Sequence, residues 1–467
     1  MISARATICL ASMLAFVLTA AACGGSRSSE PASSAPSSDS GSAATALPLG
    51  IGCGWQVVSD ADVTNVLYPD QAAVYWLALI PHVPGARLRI DGLYPQARYF
   101  SFNVYDPLLR PIDAIADQQI APDGGANPYT TAGANSGGPY RAYLSFTQKP
   151  EPAAANTIYS GFANAGATTI PNPVMTTLAY RIYVPADGLR GGVRLPRLTL
   201  ERADGSGDLG TLPTCDAPLL PNAGGSLPTL GLNPLLADNS YPEVLSAMPY
   251  PIAAYPPQTK VFYGLPDSYI GILNNVSPVP LPVQPSQIPL TGGGGFLSNK
   301  DNAYTVTAFS HDHGNIFVLR ARAPSYRTQP GTAFGSENVR YWSVCQNEFA
   351  TQRYVACARD EQVSRDSAGF FTVVVSDADQ RPANAVAANN IAWLPWGAYP
   401  DGLLIYRQLL ASAAFAPAIK NVPAGTAPAQ IMGDYLPHGV YCTRDVFESA
   451  GSQAADIFAA CARAANP

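Results

Sequence analysis

The chain has 467 residues, of which 13% are charged and 47% hydrophobic, and a formal net charge of −6. Its Lys and Arg are sparse and scattered, which excludes the basic stripe that a nucleic-acid partner needs. High counts of Pro (44), Gly (40) and Tyr (24) suit many short strands joined by turns, not a helical bundle.

Taken in chain order, residues 1–22 read as an export signal. They carry one cation, Arg5, and an apolar stretch from Ile8 to Leu18 that is too short to span a membrane. The stretch runs into Ala20-Ala21-Ala22-Cys23-Gly24-Gly25, which resembles the bacterial lipoprotein cleavage box, with Ala20 where that box usually has Leu. The resemblance implies a lipid on Cys23. It places the protein in the cell envelope, on the outer side of the cytoplasmic membrane or in the outer membrane, with the membrane as a partner. Secretion after an ordinary cut behind one of the alanines is the competing reading. Residues 23–47 are rich in Ser, Ala and Pro and cannot build a core, so they form a flexible tether. Random-coil scaling gives it a reach of about 25–30 Å.

Residues 48–215 and 297–410 are expected to be two tandem, duplicated antiparallel β-sandwich domains of jelly-roll type, making the chain mainly β. The segment Tyr75 to Pro95 aligns with Tyr304 to Pro324 at one offset, matching Tyr, His, Gly and Pro. Arg98-Tyr99-Phe100-Ser101 then matches Arg340-Tyr341-Trp342-Ser343, and Asp117-Gln118-Gln119-Ile120 matches Asp360-Glu361-Gln362-Val363. The second copy carries an extra loop at 325–338. More loosely, Tyr140–Phe146 aligns with Phe370–Ser376, and the stretch from Ile170 to Tyr183 with that from Trp393 to Tyr406. A residue kept in both copies is read as serving the shared fold; one present in a single copy is the better functional candidate.

Residues 216–296, dense in Pro and closing on Gly292 to Gly295, are the connector between the domains. Residues 411–467 are expected to form a helical extension, because apolar residues recur at spacings of three and four from Leu403 to Ile419 and from Val446 to Ala462. Thr443 is placed to cap the last helical region and Gly451 to interrupt it. Cys9 leaves with the signal and Cys23 takes the lipid, so six cysteines remain, an even count that suits an exported chain. Proximity and elimination select Cys345–Cys357, Cys442–Cys461 and Cys53–Cys215. The first of these closes a hairpin in which residue 349 pairs with 353, 347 with 355 and 345 with 357.

The run Ala392-Trp393-Leu394-Pro395 leads into a strand that ends at Tyr406, and an earlier strand covers Tyr99 to Asp106. Together they resemble bacterial envelope domains of unknown function that occur in pairs as jelly-roll-like sandwiches. The resemblance implies fold and brings no reaction.

Candidate chemistry is thin. His311-Asp312-His313 places two imidazoles at ligand spacing, which on a strand would share one face. Its nearest acids are Glu337 and Glu348, its only distant histidine in this half is His438, and it aligns with His82 at a turn. A solvated turn is therefore favoured over a metal site. No GxSxG elbow occurs, and Ser136 lies in a look-alike loop. Asp106, Asp113 and Asp117 lie near strands, where a carboxylate pair for glycoside hydrolysis stays open. Trp393, Trp396 and Tyr399 are either an exposed binding platform or a core corner, with burial favoured. Catalytic residues are unknown and no cofactor is expected. The reading is a lipid-anchored binding or scaffolding protein of the envelope, with an envelope polymer or protein as partner. The alternative is a metal-assisted or carboxylate-based hydrolase of wall or sugar polymers.

Overall fold

The stretch from Ala86 to Leu93 alternates apolar and polar residues, and in the computed structural model it is a strand with Ala86, Leu88 and Ile90 buried and Arg87, Arg89 and Asp91 on the wetter face. By contrast, Ala97–Tyr105, Tyr341–Glu348 and Asp401–Leu409 are buried at every position. A strand buried on both faces lies between two layers, and this difference organises the molecule. The structure describes residues 52–62, 65, 68–106, 111–165, 168–171, 174–215, 253–262, 299–327, 337–348 and 353–465. The expected signal and tether, Cys23, most of the expected connector and part of the 325–338 loop lie outside the described residues.

The first half contains β1 (Val57–Asp60), β2 (Ala73–Pro81), β3 (Ala86–Leu93), β4 (Ala97–Tyr105), β5 (Pro111–Ala116), β6 (Pro139–Ser145), β7 (Thr157–Tyr159), β8 (Phe162–Ala165), β9 (Thr168–Pro171), β10 (Met175–Pro185), β11 (Arg197–Arg202) and β12 (Asp208–Leu212). The second contains β13 (Thr259–Phe262), β14 (Asn302–Ser310), β15 (Ile316–Arg322), β16 (Tyr341–Glu348), β17 (Tyr354–Arg359), β18 (Phe370–Ser376), β19 (Ile391–Pro395), β20 (Asp401–Leu409) and β21 (His438–Cys442). Sheet order β1-β2-β10-β4-β5 in the first half is matched by β13-β14-β20-β16-β17 in the second. Order β12-β11-β3-β6-β7 is matched by β21-β15-β18-β19. Each half is thus a β-sandwich, and the duplication extends to strand order. Each sandwich closes on its own aromatic core: Phe100, Phe102, Tyr140 and Tyr180 in the first, Trp342, Phe371 and Tyr406 in the second. A smaller cluster that includes Tyr99, Tyr183, Tyr341 and Leu409 joins the two halves.

Register refines the internal alignment. Tyr180 stands opposite Trp76 and Phe102, and Tyr406 opposite Thr305 and Val344, so Tyr180 and Tyr406 are the equivalent pair. The looser alignment from sequence had set Tyr183 there, three residues away. It had also matched Ile170-Pro171 to β19, whose counterpart is β7: each runs parallel to the strand beside it, β6 or β18.

The expected helix from Leu403 to Ile419 is a correction. Residues 401–409 form β20, the central strand between β14 and β16. An unbroken apolar run satisfies strand and helix spacing alike, so periodicity could not separate them. The C-terminal stretch also contributes β21 to the second sandwich, between the short helix Pro428–Met432 and the helices Arg444–Ser449 and Ala454–Ala465. Thr443 accepts from the Val446 N–H at the start of Arg444–Ser449, and Gly451 lies in the break between the last two helices.

All three disulfides are formed: Cys53–Cys215, Cys345–Cys357 and Cys442–Cys461. Cys345 does face Cys357 across the hairpin, but Asn347 pairs with Tyr354 because a bulge follows Gln346. In the first copy Asn103 and Ala114 hold the bridged positions.

Candidate functional site

At the start of β4 and just before β16, the strands of the shared motif, stand two buried arginines, Arg98 and Arg340, and each crosses to the other sandwich. Arg98 Nη1 donates to both Asp360 oxygens at 2.6 Å, and its Nη2 donates to Glu361. Arg340 Nη1 donates to Asp117 Oδ2 at 2.6 Å, and its Nη2 to Gln118 Oε1 at 3.1 Å. Asp117 also accepts the Phe100 N–H, and Asp360 the Trp342 N–H. Each carboxylate thus fixes the strand start of its own sandwich and holds the other's arginine. Burial pushes Asp360 up to about 6 against the pull of Arg98, and it raises Asp117 against the pull of Arg340. These pairs position the seam.

Along the seam, buried phenols meet carboxylates and arginines of both halves. Tyr99 O–H donates to Asp301 Oδ2 at 2.6 Å. Tyr341 O–H and Ser343 Oγ donate to the two oxygens of Asp70 at 2.9 and 2.7 Å. Tyr183 packs edge-on against Tyr99 and Tyr341, both at 5.6 Å between ring centroids. Arg181 on β10 and Arg407 on β20 are equivalent: the first stands opposite Tyr75 and Ser101, the second opposite Tyr304 and Ser343. They are 2% and 3% exposed. Arg181 Nη2 donates to Tyr105 Oη at 2.5 Å, and the guanidinium carbon lies 4.9 Å from the Tyr75 ring centroid. Arg407 Nη2 donates to the Tyr68 carbonyl at 2.6 Å, and its guanidinium lies 5.9 Å from the Tyr304 ring. Arg407 Nη1 is buried and has no hydrogen-bond partner among the described residues. Burial raises the Tyr75 and Tyr304 hydroxyls, while both arginines pull them down.

The histidines go elsewhere. His311 and His313 sit in a 3₁₀ turn, not on a strand. The His311 ring stacks on Trp396 at 3.8 Å and its Nε2 faces Asp377, whereas His313 Nε2 meets the Ala253 carbonyl and its ring meets Tyr255 and Tyr441. The two imidazoles therefore serve separate surroundings. His438 is exposed on β21, across from Arg320. The one grouping of three metal-ligand residue types among the described residues is Asp70 with Cys345 and Cys357, whose sulfurs are bridged and offer no thiolate. Trp396 and Tyr399 are buried and Trp393 is half-buried, so they form a core corner and not a platform.

His82 holds the only imidazole–hydroxyl cluster found among the described residues. Its Nε2 lies 2.7 Å from Thr176 Oγ1 and 3.1 Å from Ser160 Oγ, with Phe146 stacked on the ring at 4.8 Å. The equivalent positions in the second copy are His311, Gly402 and Trp396. Ser160 is fully buried and its Oγ also reaches the Ser145 carbonyl, so no substrate carbonyl can approach it in this state. Asp113, an acid singled out from sequence, holds Lys149 Nζ at 2.9 Å and accepts the Tyr159 N–H. Asp117 is committed to Arg340, and Asp106 is buried at the end of β4.

No family model matches the chain, and no curated protein does. Among solved structures, an uncharacterised protein from Burkholderia cenocepacia is similar, with 14% identity and a TM-score of 0.41, over 77% of this chain and 79% of that one. The VPA0106 protein from Vibrio parahaemolyticus is similar at 12% identity and a TM-score of 0.37, over 80% of this chain and 89% of that one. Likeness at this level carries no argument about function.

Proposed function

We propose that the protein is exported, anchored to an envelope membrane through a lipid on Cys23, and acts there as a binding or scaffolding module of paired jelly-roll-like sandwiches. The observation that carries the binding reading is Arg407, buried at the seam with its guanidinium 5.9 Å from the Tyr304 ring and Nη1 without a hydrogen-bond partner among the described residues. Buried charge is normally paired with an opposite charge, so a cation set among neutral donors suits a partner that brings the anion. The three bridged cysteine pairs support export, because such bridges persist in oxidising compartments. A carboxylate-based hydrolase is less well supported, since Asp113 and Asp117 are held by Lys149 and Arg340. Growing cells with a fatty-acid probe tests the anchor. Wild-type protein should take the label and Cys23→Ala should not; label that persists in the variant would sink the assignment.

A further inference from the structure

We propose that the seam holds a thiophilic divalent metal ion such as zinc, between Asp70 of the first half and Cys345 and Cys357 of the second, once the bridge between the two cysteines is reduced.

One carboxylate oxygen of Asp70 and the two sulfurs lie within 4.8 Å of one another. Two thiolates and a carboxylate are a donor set for zinc, with the fourth position left to water. The carboxylate is already oriented. Its Oδ1 accepts the Ala72 N–H at 3.0 Å and the Tyr341 O–H at 2.9 Å, and its Oδ2 accepts from Ser343 Oγ at 2.7 Å. Outer hydrogen bonds of this kind fix a metal's carboxylate ligand, and a carboxylate with three donors keeps a lone pair for the ion. Asp70 is buried, whereas Cys357 is half-buried on β17, the edge strand of its sheet, which is the side from which a thiolate can attack the bridge.

The duplication supplies a comparison within the same molecule. Asn299 is the counterpart of Asp70 at the offset of the internal repeat. Its Oδ1 accepts the Asp301 N–H at 3.0 Å and the Tyr99 O–H at 3.3 Å, just as Asp70 accepts from Ala72 and Tyr341. Asn103 and Ala114 hold the positions of the two cysteines, and Asn103 Oδ1 accepts the Lys300 N–H at 3.3 Å beside Asn299. This mirror position keeps the turn and the phenol and has none of the three ligand types. The fold therefore does not require them, and they occur together on one side of the seam.

A dithiol reductant supplies two electrons and two protons. The S–S bond breaks, two thiols form, and the reductant closes into its own disulfide. The ion then replaces the two thiol protons, which leave to solvent as the metal–sulfur bonds form. Two thiolates beside Asp70 would put three negative charges in one buried place, and the cation offsets two of them. Its ligands come from both halves, so the bound ion ties the sandwiches together. In an oxidising compartment the bridge keeps the site closed, and the ion enters where a dithiol reaches the protein.

The test is anaerobic titration of the mature chain with cobalt(II), before and after reduction with a phosphine that is then removed. Cobalt stands in for zinc and reports bound sulfur by its thiolate charge-transfer absorption. Reduced wild type should take one cobalt per chain with that absorption, zinc should displace it, and oxidised wild type should take none. Two variants copy the mirror position. Cys345→Asn with Cys357→Ala should lose the absorption, and Asp70→Asn should weaken binding by at least about tenfold. No absorption in reduced wild type, absorption undiminished in the double variant, or equal affinity in Asp70→Asn would each overturn the site. Should a variant fail to fold, alkylation of reduced wild type with and without zinc decides, read by peptide mapping. Zinc should protect Cys345 and Cys357; protection of neither, or of the other four bridged cysteines instead, removes the site.

Discussion

Asp360 is the residue at which burial and charge oppose each other most clearly. Burial lifts its carboxyl from an ordinary 3.8 to about 6 despite the arginine beside it. Between those values the folded protein keeps a proton that the unfolded chain has released. Its contribution to stability is therefore present below about pH 4 and is lost as the pH rises through about 6. Asp360→Asn removes this titration. The stability of wild type relative to the variant should fall by up to about 3 kcal/mol over that interval, as read by urea unfolding at several pH values. A difference that stays flat with pH would remove the assignment. Arg98→Ala is the harsher change, because it leaves Asp360 and Glu361 facing each other without their cation. A loss of about 3–5 kcal/mol is expected in the same unfolding measurement. The arginines and acids were visible in the sequence as repeated motifs. Their pairing was not, because partners 262 and 223 positions apart share no local pattern.

At the scale of elements, strand identity was legible where one face meets water and the pattern alternates, as in β3. It was illegible in β20, where both faces are buried. Within β20, Gly402 has its own packing reason. A Cβ there would lie 2.1 Å from the Phe309 ring, and its first-half counterpart Thr176 instead meets the smaller Ile80. Gly402→Ala should destabilise the second sandwich by about 1–3 kcal/mol in chemical unfolding, with a reduced melting temperature. The disulfides were found from sequence because hairpin geometry and an even cysteine count constrain them. Their effects should differ with the length of chain each closes. Removing Cys53–Cys215, which spans 162 residues, should cost about 5 kcal/mol in the chain-entropy model. Removing Cys345–Cys357, which spans 12, should cost about 3 kcal/mol. Paired Cys→Ser variants measured by guanidinium unfolding check this order, and a reversed ranking would contradict it.

For the whole molecule, the reciprocal pairs make the two sandwiches thermodynamically dependent on one another. The wild-type chain should unfold in a single calorimetric transition. Arg98→Ala combined with Arg340→Ala should split it in two, since each sandwich retains its own core and disulfides. One transition in the double variant would show that the remaining seam contacts suffice to couple the halves. The sequence by itself determined the mainly β class, the duplication, the hairpin that sets Cys345 against Cys357 and the turn at His311, because these rest on spacing, periodicity and composition within short windows. Tertiary structure alone decided that β20 is a strand, that Trp396 is core, and that four arginines from both halves line one seam. Those outcomes depend on which faces are covered by residues tens to hundreds of positions away, and burial between layers is a property of the assembled chain.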